Sequence, residues 1–457
     1  MLRKVPLIVI LGSTGTGKTK LSLELAERFG GEIISADSMQ VYTNLDIVTA
    51  KATKEEQGRA PHHLLDVATP AAPYTVTHFR NAALPIIEQL LAKSNPPIIV
   101  GGTNYYIESL LWDILVKTDE PAATPRKLQP AMLLADSVMA TMTSEELHNH
   151  LAEIDAGSAM RIHPNNRRKI LRAIEVYQNS GQTLSTHLTE QRCQPGGNRL
   201  GGPLRYPHTI LLWLRCRQEV LNTRLEKRVD GMLEQGLLGE LREFHNKYAN
   251  VTGEGYTKGV LQTIGYKEFV PYLSKYNAEH DVQLEAYLRA HNFVLPTVDE
   301  LKGKSADDVI PVGLDLLHSC CEQLKLVTRR YSKNQLKWIN NRFLASKDRQ
   351  VPDLYELDTS DVNAWTQMVY KRAESIIVSY MDDAVCEIEP LPKRTHPGAD
   401  LDEETSNFCA ICKRHFIGEY QWKIHLKSNK HKRCREALRR KQKSEKATIH
   451  DDSQTAS

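Results

Sequence analysis

The segment Gly12-Ser13-Thr14-Gly15-Thr16-Gly17-Lys18-Thr19 constrains this chain more than any other. It matches GxxxxGK[ST]. The apolar run Val5–Leu11 precedes it, and Lys20–Phe29 follows with Leu21, Leu25 and Phe29 at helical spacing. A strand that turns through glycines into a helix points backbone N–H groups at phosphate oxygens, and the helix N-terminus adds partial positive charge. Lys18 supplies a full charge, and the Thr19 hydroxyl is placed to hold Mg2+. The motif predicts that phosphates bind, not that ATP is hydrolysed. Nucleotide-dependent kinases and enzymes whose leaving group is a diphosphate both remain open.

The surrounding pattern sets the fold class. Short apolar runs at Gly31–Ala36, Pro97–Val100 and Thr209–Leu214 alternate with helical stretches, which predicts a parallel sheet with helices on both faces. A chain of 457 residues is too long for one core. We expect an α/β protein: a P-loop parallel-sheet core in two parts (1–120 and 206–345), a helical insertion domain (121–205), a looser linker with one helix (346–400), a small C-terminal Cys2His2 zinc finger (401–436) and a disordered basic tail (437–457). Long helices are expected from Gln218 to about Phe244 and over Val312–Phe343. The apolar stretches are too short to span a bilayer, so no membrane partner is expected. The eight cysteines form no disulfide framework, which fits a reducing compartment. The net charge of +3 says nothing about partners, so local charge must.

Asp37 follows the second predicted strand. It therefore belongs at the sheet edge where the phosphate loop sits and where open parallel sheets bind ligands. A carboxylate there can hold Mg2+ or accept a proton as general base. The competing reading is a turn or helix-capping Asp.

Several segments then occur in a telling order: GSTGTGKT, ISADSMQVY (34–42), LDIVTAK (45–51), PHHLLD (61–66), VGGTNYYIESLLW (100–112), RIHPNNRRKILRAIEV (161–176), RLEKRVDGML (224–233) and IGYKEF (264–269). This combination resembles the tRNA dimethylallyltransferases over roughly residues 5–345. The resemblance implies transfer of a dimethylallyl group from dimethylallyl diphosphate to N6 of the adenosine directly 3′ of the anticodon, in a tRNA anticodon stem-loop. It implies that Asp37 takes the amine proton, that Gly12 to Thr19 with Mg2+ hold the diphosphate, and that Arg228 contacts it. It further implies that Thr103 meets the target base, and that Asp37, Ser38, Met39, Gln40, Arg167, Arg168, Lys169 and Arg172 contact tRNA. Thr103 also suits a helix N-cap after two glycines. Arg224 reads as part of a solvated helix paired with Glu226 and Asp230, and His62 and His63 read as turn or packing residues. The basic run Arg329, Arg330, Lys333, Lys337 and Arg342, with Tyr331 and Trp338 interleaved, suits RNA.

Cys409-x2-Cys412-x12-His425-x5-His431 has the spacing of a zinc finger, with Phe408, Phe416 and Trp422 as its apolar core. So short a module needs Zn2+ to fold. Its basic end predicts added affinity for tRNA phosphates, against protein contact or nuclear targeting. Bacterial relatives lack the finger, so it should be dispensable for chemistry. A monomer is expected, resident in the cytoplasm, with mitochondrial or nuclear pools as further options. The rival functions are a P-loop small-molecule kinase and a non-catalytic zinc-finger RNA-binding protein.

Overall fold

The computed structural model describes residues 4–115, 133–249, 259–295, 310–344, 349–394 and 404–454. It divides into two compact units, Met1–Asp113 with Leu204–Arg394, and Ile114–Pro203 with Thr395–Ser457. The expected linker therefore falls within the first unit up to Arg394, and the finger clusters with the insertion.

The first unit is built on a sheet of six strands, all parallel, in the order β3-β2-β4-β1-β5-β6. These are β1 (Leu7–Gly12), β2 (Glu32–Ser35), β3 (His62–His63), β4 (Pro97–Val100), β5 (Thr209–Arg215) and β6 (Leu354–Asp358). β1 is central, bonded to β4 and β5, and its six residues are wholly buried. Such continuous apolar runs are what a parallel strand covered on both faces requires. Helix α1 (Lys18–Phe29) follows β1 and packs Leu21, Leu23, Leu25 and Ala26 into the core.

Three expectations are corrected here. β6 lies in the stretch read as a linker. It pairs with β5 from Leu211↔Leu354 to Arg215↔Asp358, and its few apolar residues at an edge gave too weak a pattern to read. The helix from Gln218 stops at Glu234, because Gly236 adopts φ +95° and a second helix, Leu237–Tyr248, starts there. The tail forms helix rather than disorder, continuing from Asn429 to Gln454, where Ala, Arg, Lys and Glu favour it. The other long helix runs Leu314–Ile339 and ends in a π-turn at Asn340–Leu344.

The second unit has its own core, in which Leu147, Leu151, Ile170 and Ile174 pack helix Ser144–Ile154 against helix Arg167–Ser180. Among the described residues no helix is long and apolar enough to cross a membrane.

Candidate active site and metal centre

The carboxyl ends of β1, β2 and β4 meet at a cavity of about 460 Å3, lined among others by Lys18, Thr19, Asp37, Arg228, Tyr331 and Gln335. Thr14, Gly15 and Gly17 also line it, while Ser13 and Thr16 are buried behind them, with the Thr16 hydroxyl donating to the Ser13 carbonyl at 2.8 Å. The Lys18 ammonium donates to the same carbonyl at 2.9 Å. Burial pushes Lys18 down to about 8; Asp37 opposes that shift and Arg228 adds to it. Burial also lowers Arg228, against the pull of Asp37.

Asp37 reaches this cavity because β2 and β4 continue their pairing past their ends. The Ala36 N–H donates to the Val100 carbonyl at 2.7 Å, and the Thr103 N–H returns to the Ala36 carbonyl at 3.1 Å. Gly101 makes this approach possible, since a Cβ there would lie 2.1 Å from the Ala36 oxygen. Asp37 Oδ1 accepts the Met39 N–H at 3.0 Å, so the turn reading also holds. Oδ2 sits beside Gly102, where an added Cβ would lie 3.1 Å from it. Thr103 occupies the N-cap position of helix Asn104–Leu111, but its hydroxyl does not cap it. It accepts the Ser38 N–H at 2.9 Å and donates to the Ser38 hydroxyl at 3.1 Å. Ser38, Met39 and Gln40 line the cavity beside Asp37. Gln40 spends its amide on the carbonyls of Thr49 and Ala50, each at 3.2 Å, and on the Ser35 hydroxyl at 2.9 Å.

Two residues of the long Leu314–Ile339 helix complete the site. The Gln335 Oε1 accepts the Thr14 N–H at 2.8 Å, and its Nε2 donates to the Gly102 carbonyl at 2.8 Å. One buried amide thus joins the phosphate loop to the turn that carries Asp37. Tyr331, expected to face RNA, lines the cavity instead and donates to the Gly102 carbonyl at 3.2 Å. The same helix lends Leu324, which with Val48, Val229, Met232 and Ile264 gives the cavity its apolar lining. Glu240 was also missed. It accepts the N–H groups of Asp46, Ile47 and Val48 at 2.6, 2.8 and 2.9 Å and so fixes the loop that brings Val48 to the cavity.

Other expectations change. Arg224 is not part of a solvated ion-paired face: it donates to the carbonyls of Thr359 and Ser360 at 2.7 and 3.2 Å, while Glu226 pairs with Arg329 and Asp230 with Lys325 at 3.1 Å. Arg342 lies 2.7 Å from the buried Glu108, so the predicted basic stripe is partly consumed by internal pairs, leaving Arg330, Lys333 and Lys337 exposed. His63 meets Glu32 at 2.6 Å and His62 the Ala60 carbonyl at 2.8 Å, as packing roles require, though His62 also lines the cavity.

In the second unit, Arg168, Lys169 and Arg172 are exposed on helix Arg167–Ser180. Arg167 differs in being held from within the unit: its guanidinium is turned onto the carbonyls of Met139, Ala140 and Met142. The finger forms an antiparallel pair, β7 (Ser406–Cys409) with β8 (Arg414–Ile417), followed by helix Glu419–Lys427. The ligand atoms of Cys409, Cys412, His425 and His431 lie within 4.8 Å of one another. His431 Nδ1 is 3.6 Å from Cys409 Sγ and 3.5 Å from Cys412 Sγ, close to the edge of a tetrahedron with bonds of about 2.0–2.3 Å. His425 Nε2 is buried without a protein partner. This donor set fits structural Zn2+. Phe416 stacks on the His425 ring at 3.9 Å, whereas Phe408 is more than half exposed and rests on His415 instead of filling the finger's core.

A phosphate loop, a carboxylate and buried cations in one cavity leave the family to be decided by similarity over the whole chain. The IPP transferase family model matches residues 40–342, and the isopentenyl transferase model matches residues 5–66. The chain belongs to the tRNA dimethylallyltransferase family. The tRNA dimethylallyltransferase of Mus musculus is 38% identical over 435 residues, spanning 94% of this chain and 85% of its own length. That of Saccharomyces cerevisiae is 31% identical, spanning 94% and 92%. A crystal structure of a eukaryotic dimethylallyltransferase acting on tRNA superimposes with a TM-score of 0.74 at 30% identity, covering 97% of this chain and all of that one. Residues 406–432 match a zinc-finger double-stranded RNA-binding family. As a dimethylallyltransferase-family chain, this protein has the α/β core and the finger that its sequence implied.

Proposed function

We propose that this chain transfers a dimethylallyl group from dimethylallyl diphosphate to N6 of the adenosine directly 3′ of the anticodon in tRNA. The observation that carries the reading is the sharing of one cavity by Asp37, Lys18, Thr19 and Arg228. In the reaction the allylic C–O bond breaks, the N6–C bond forms, the amine proton passes to the Asp37 carboxylate, and diphosphate leaves. Positive charge grows on the allylic carbon and negative charge on the leaving group. Lys18, Arg228 and the loop N–H groups meet the latter with preorganised charge. Adenine N6 is a weak nucleophile because its lone pair is delocalised, and a general base contributes about 10²–10⁴-fold. The Thr19 hydroxyl offers a hard oxygen donor suited to Mg2+, which would neutralise charge on the diphosphate.

The base must leave its stack to enter the cavity, which costs least in an unpaired loop. We assign Thr103 and Ser38 to its reception and Arg168, Lys169 and Arg172 to the tRNA backbone. The zinc finger adds phosphate contacts from Lys427, Lys430, Lys432, Arg433 and Arg435. We place the reaction in the cytoplasm.

The test is mass spectrometry of tRNA incubated with the chain and dimethylallyl diphosphate. A mass gain of one C5H8 unit on an adenosine is expected. ATP consumption with unmodified tRNA would favour the kinase. A Cys409→Ser variant that abolishes RNA function while Asp37→Ala preserves it would favour a non-catalytic RNA-binding protein.

A further inference from the structure

Residues 349–394 lie beyond the IPP transferase match, which ends at residue 342, yet they supply a side chain to the back of the phosphate loop. β6 leads to Trp365, which is 7% exposed at the start of the π-turn Thr366–Tyr370. A Cβ built on Gly17 would lie 2.8 Å from both Cη2 and Cζ3 of this indole. The indole N–H donates to the Glu24 carboxylate, 2.9 and 3.2 Å from its two oxygens. The Lys20 ammonium sits over the ring, 4.6 Å from its centroid. Gly17, Lys20 and Glu24 fall at i, i+3 and i+7, one face of α1. One ring therefore backs the first two turns of the helix whose Lys18 and Thr19 line the cavity.

We propose that Trp365 is a positioning residue for the diphosphate of the donor, which rests on the reading of the site given above. Gly15 and Gly17 hold φ +82° and +88°, conformations that glycine reaches freely but does not hold by itself. The flat indole fits against Gly17 where no side chain would fit, and its hydrogen bond and cation contact fix it to the same helix. The cradle is thereby held in its binding geometry before the donor arrives, and a preorganised site binds more tightly because less freedom is lost on binding. Trp365 is not among the residues that line the cavity and reaches the site only through the phosphate loop, so its effect belongs on the donor.

The test uses the full chain. Trp365→Ala should raise KM for dimethylallyl diphosphate by about tenfold while KM for tRNA shifts by less than about twofold, and Trp365→Phe, which keeps a flat ring, should stay within about threefold of wild type. Binding of inorganic diphosphate with Mg2+, followed by calorimetry, should weaken in parallel. If the alanine variant does not fold, Trp365→Leu, which fills the space without a flat face, serves in its place. An unchanged donor KM, or equal losses for donor and tRNA, overturns the proposal. Failure of the wild-type chain to bind diphosphate or turn over the donor would overturn the site reading instead, and this inference with it.

Discussion

Arg349 lies 2.6 Å from the carboxylate of Glu108, and both side chains are sealed from solvent. The guanidinium also stacks on Trp112, 3.6 Å from its ring centroid, and Arg342 approaches the same carboxylate at 2.7 Å. Glu108 belongs to the helix that starts after Thr103, so this pair ties the 349–394 segment to the turn bearing the active-site glycines. Removing one partner of a buried pair strands the other, at a cost of about 3–5 kcal/mol. Glu108→Ala should therefore shift the denaturant midpoint of the core strongly downward. The double variant Glu108→Leu, Arg349→Met should recover most of the loss, and a single variant as stable as wild type would contradict the assignment.

Asp37→Asn keeps the side chain's size and its bond to the Met39 N–H but cannot accept the amine proton. Turnover of tRNA should drop by about 10²–10⁴-fold with donor KM changed little. Single-turnover kinetics with saturating donor would separate this from a binding defect.

Gln335 spans the phosphate loop and the Gly102 carbonyl. Gln335→Leu leaves the part-buried Thr14 N–H without that partner, at about 1 kcal/mol, while the Gly102 carbonyl keeps only the Tyr331 hydroxyl. The loop and the Asp37 turn then lose their common brace. Donor KM should rise and turnover fall together, unlike the donor-only effect expected of Trp365.

Burial lowers Lys18 from its ordinary 10.5 to about 8. Below about 8 the ammonium is charged and binds diphosphate; above it the charge is lost. Donor affinity should therefore fall as pH rises from about 7 to 9, and KM profiles should show it, whereas Lys18→Arg should flatten the profile. Stability moves the other way. Between about 8 and 10.5 the unfolded chain holds a proton that the folded chain has released, so this residue's contribution to stability improves with rising pH across that window.

The finger's ligand set predicts one zinc per chain. Chelation or Cys409→Ser should melt the 406–432 module and weaken tRNA binding, while turnover at saturating tRNA stays near wild type. Zinc stoichiometry and the salt dependence of tRNA affinity check both halves.

The parts of the site that were legible in the sequence are those whose chemistry is local. A glycine loop after a strand, an acid at a strand end and a Cys2His2 spacing each announce themselves within a few neighbouring residues. Gln335, Tyr331, Glu240 and Trp365 did not, because each acts on a segment far away in the chain and sits in a helix or turn where its identity has a duller reading. Tyr331 looked like an RNA-stacking aromatic because its neighbours are basic; the helix rotates it inward and leaves Arg330 and Lys333 outside. Arg167 makes contacts that its sequence surroundings do not announce, for the converse reason. Its neighbours are exposed, but the N-terminal position on its helix turns it onto the carbonyls of an adjacent turn. Charge and aromaticity can be counted in a sequence, whereas the face a side chain takes depends on what packs against it.

The sixth strand also dictates when the enzyme is finished during biosynthesis. Strand β5 ends at Arg215, but its edge partner β6 begins only at Leu354, roughly 140 residues later, with the indole that backs the phosphate loop just beyond it. At roughly 5–20 residues per second, that interval lasts on the order of ten seconds. Throughout it β5 presents an unpaired parallel edge, a surface prone to mispairing with other chains. A nascent chain stalled near residue 345 would hold every signature motif of the phosphate site and still carry that exposed edge, so chaperone protection during elongation matters most for this half-built sheet.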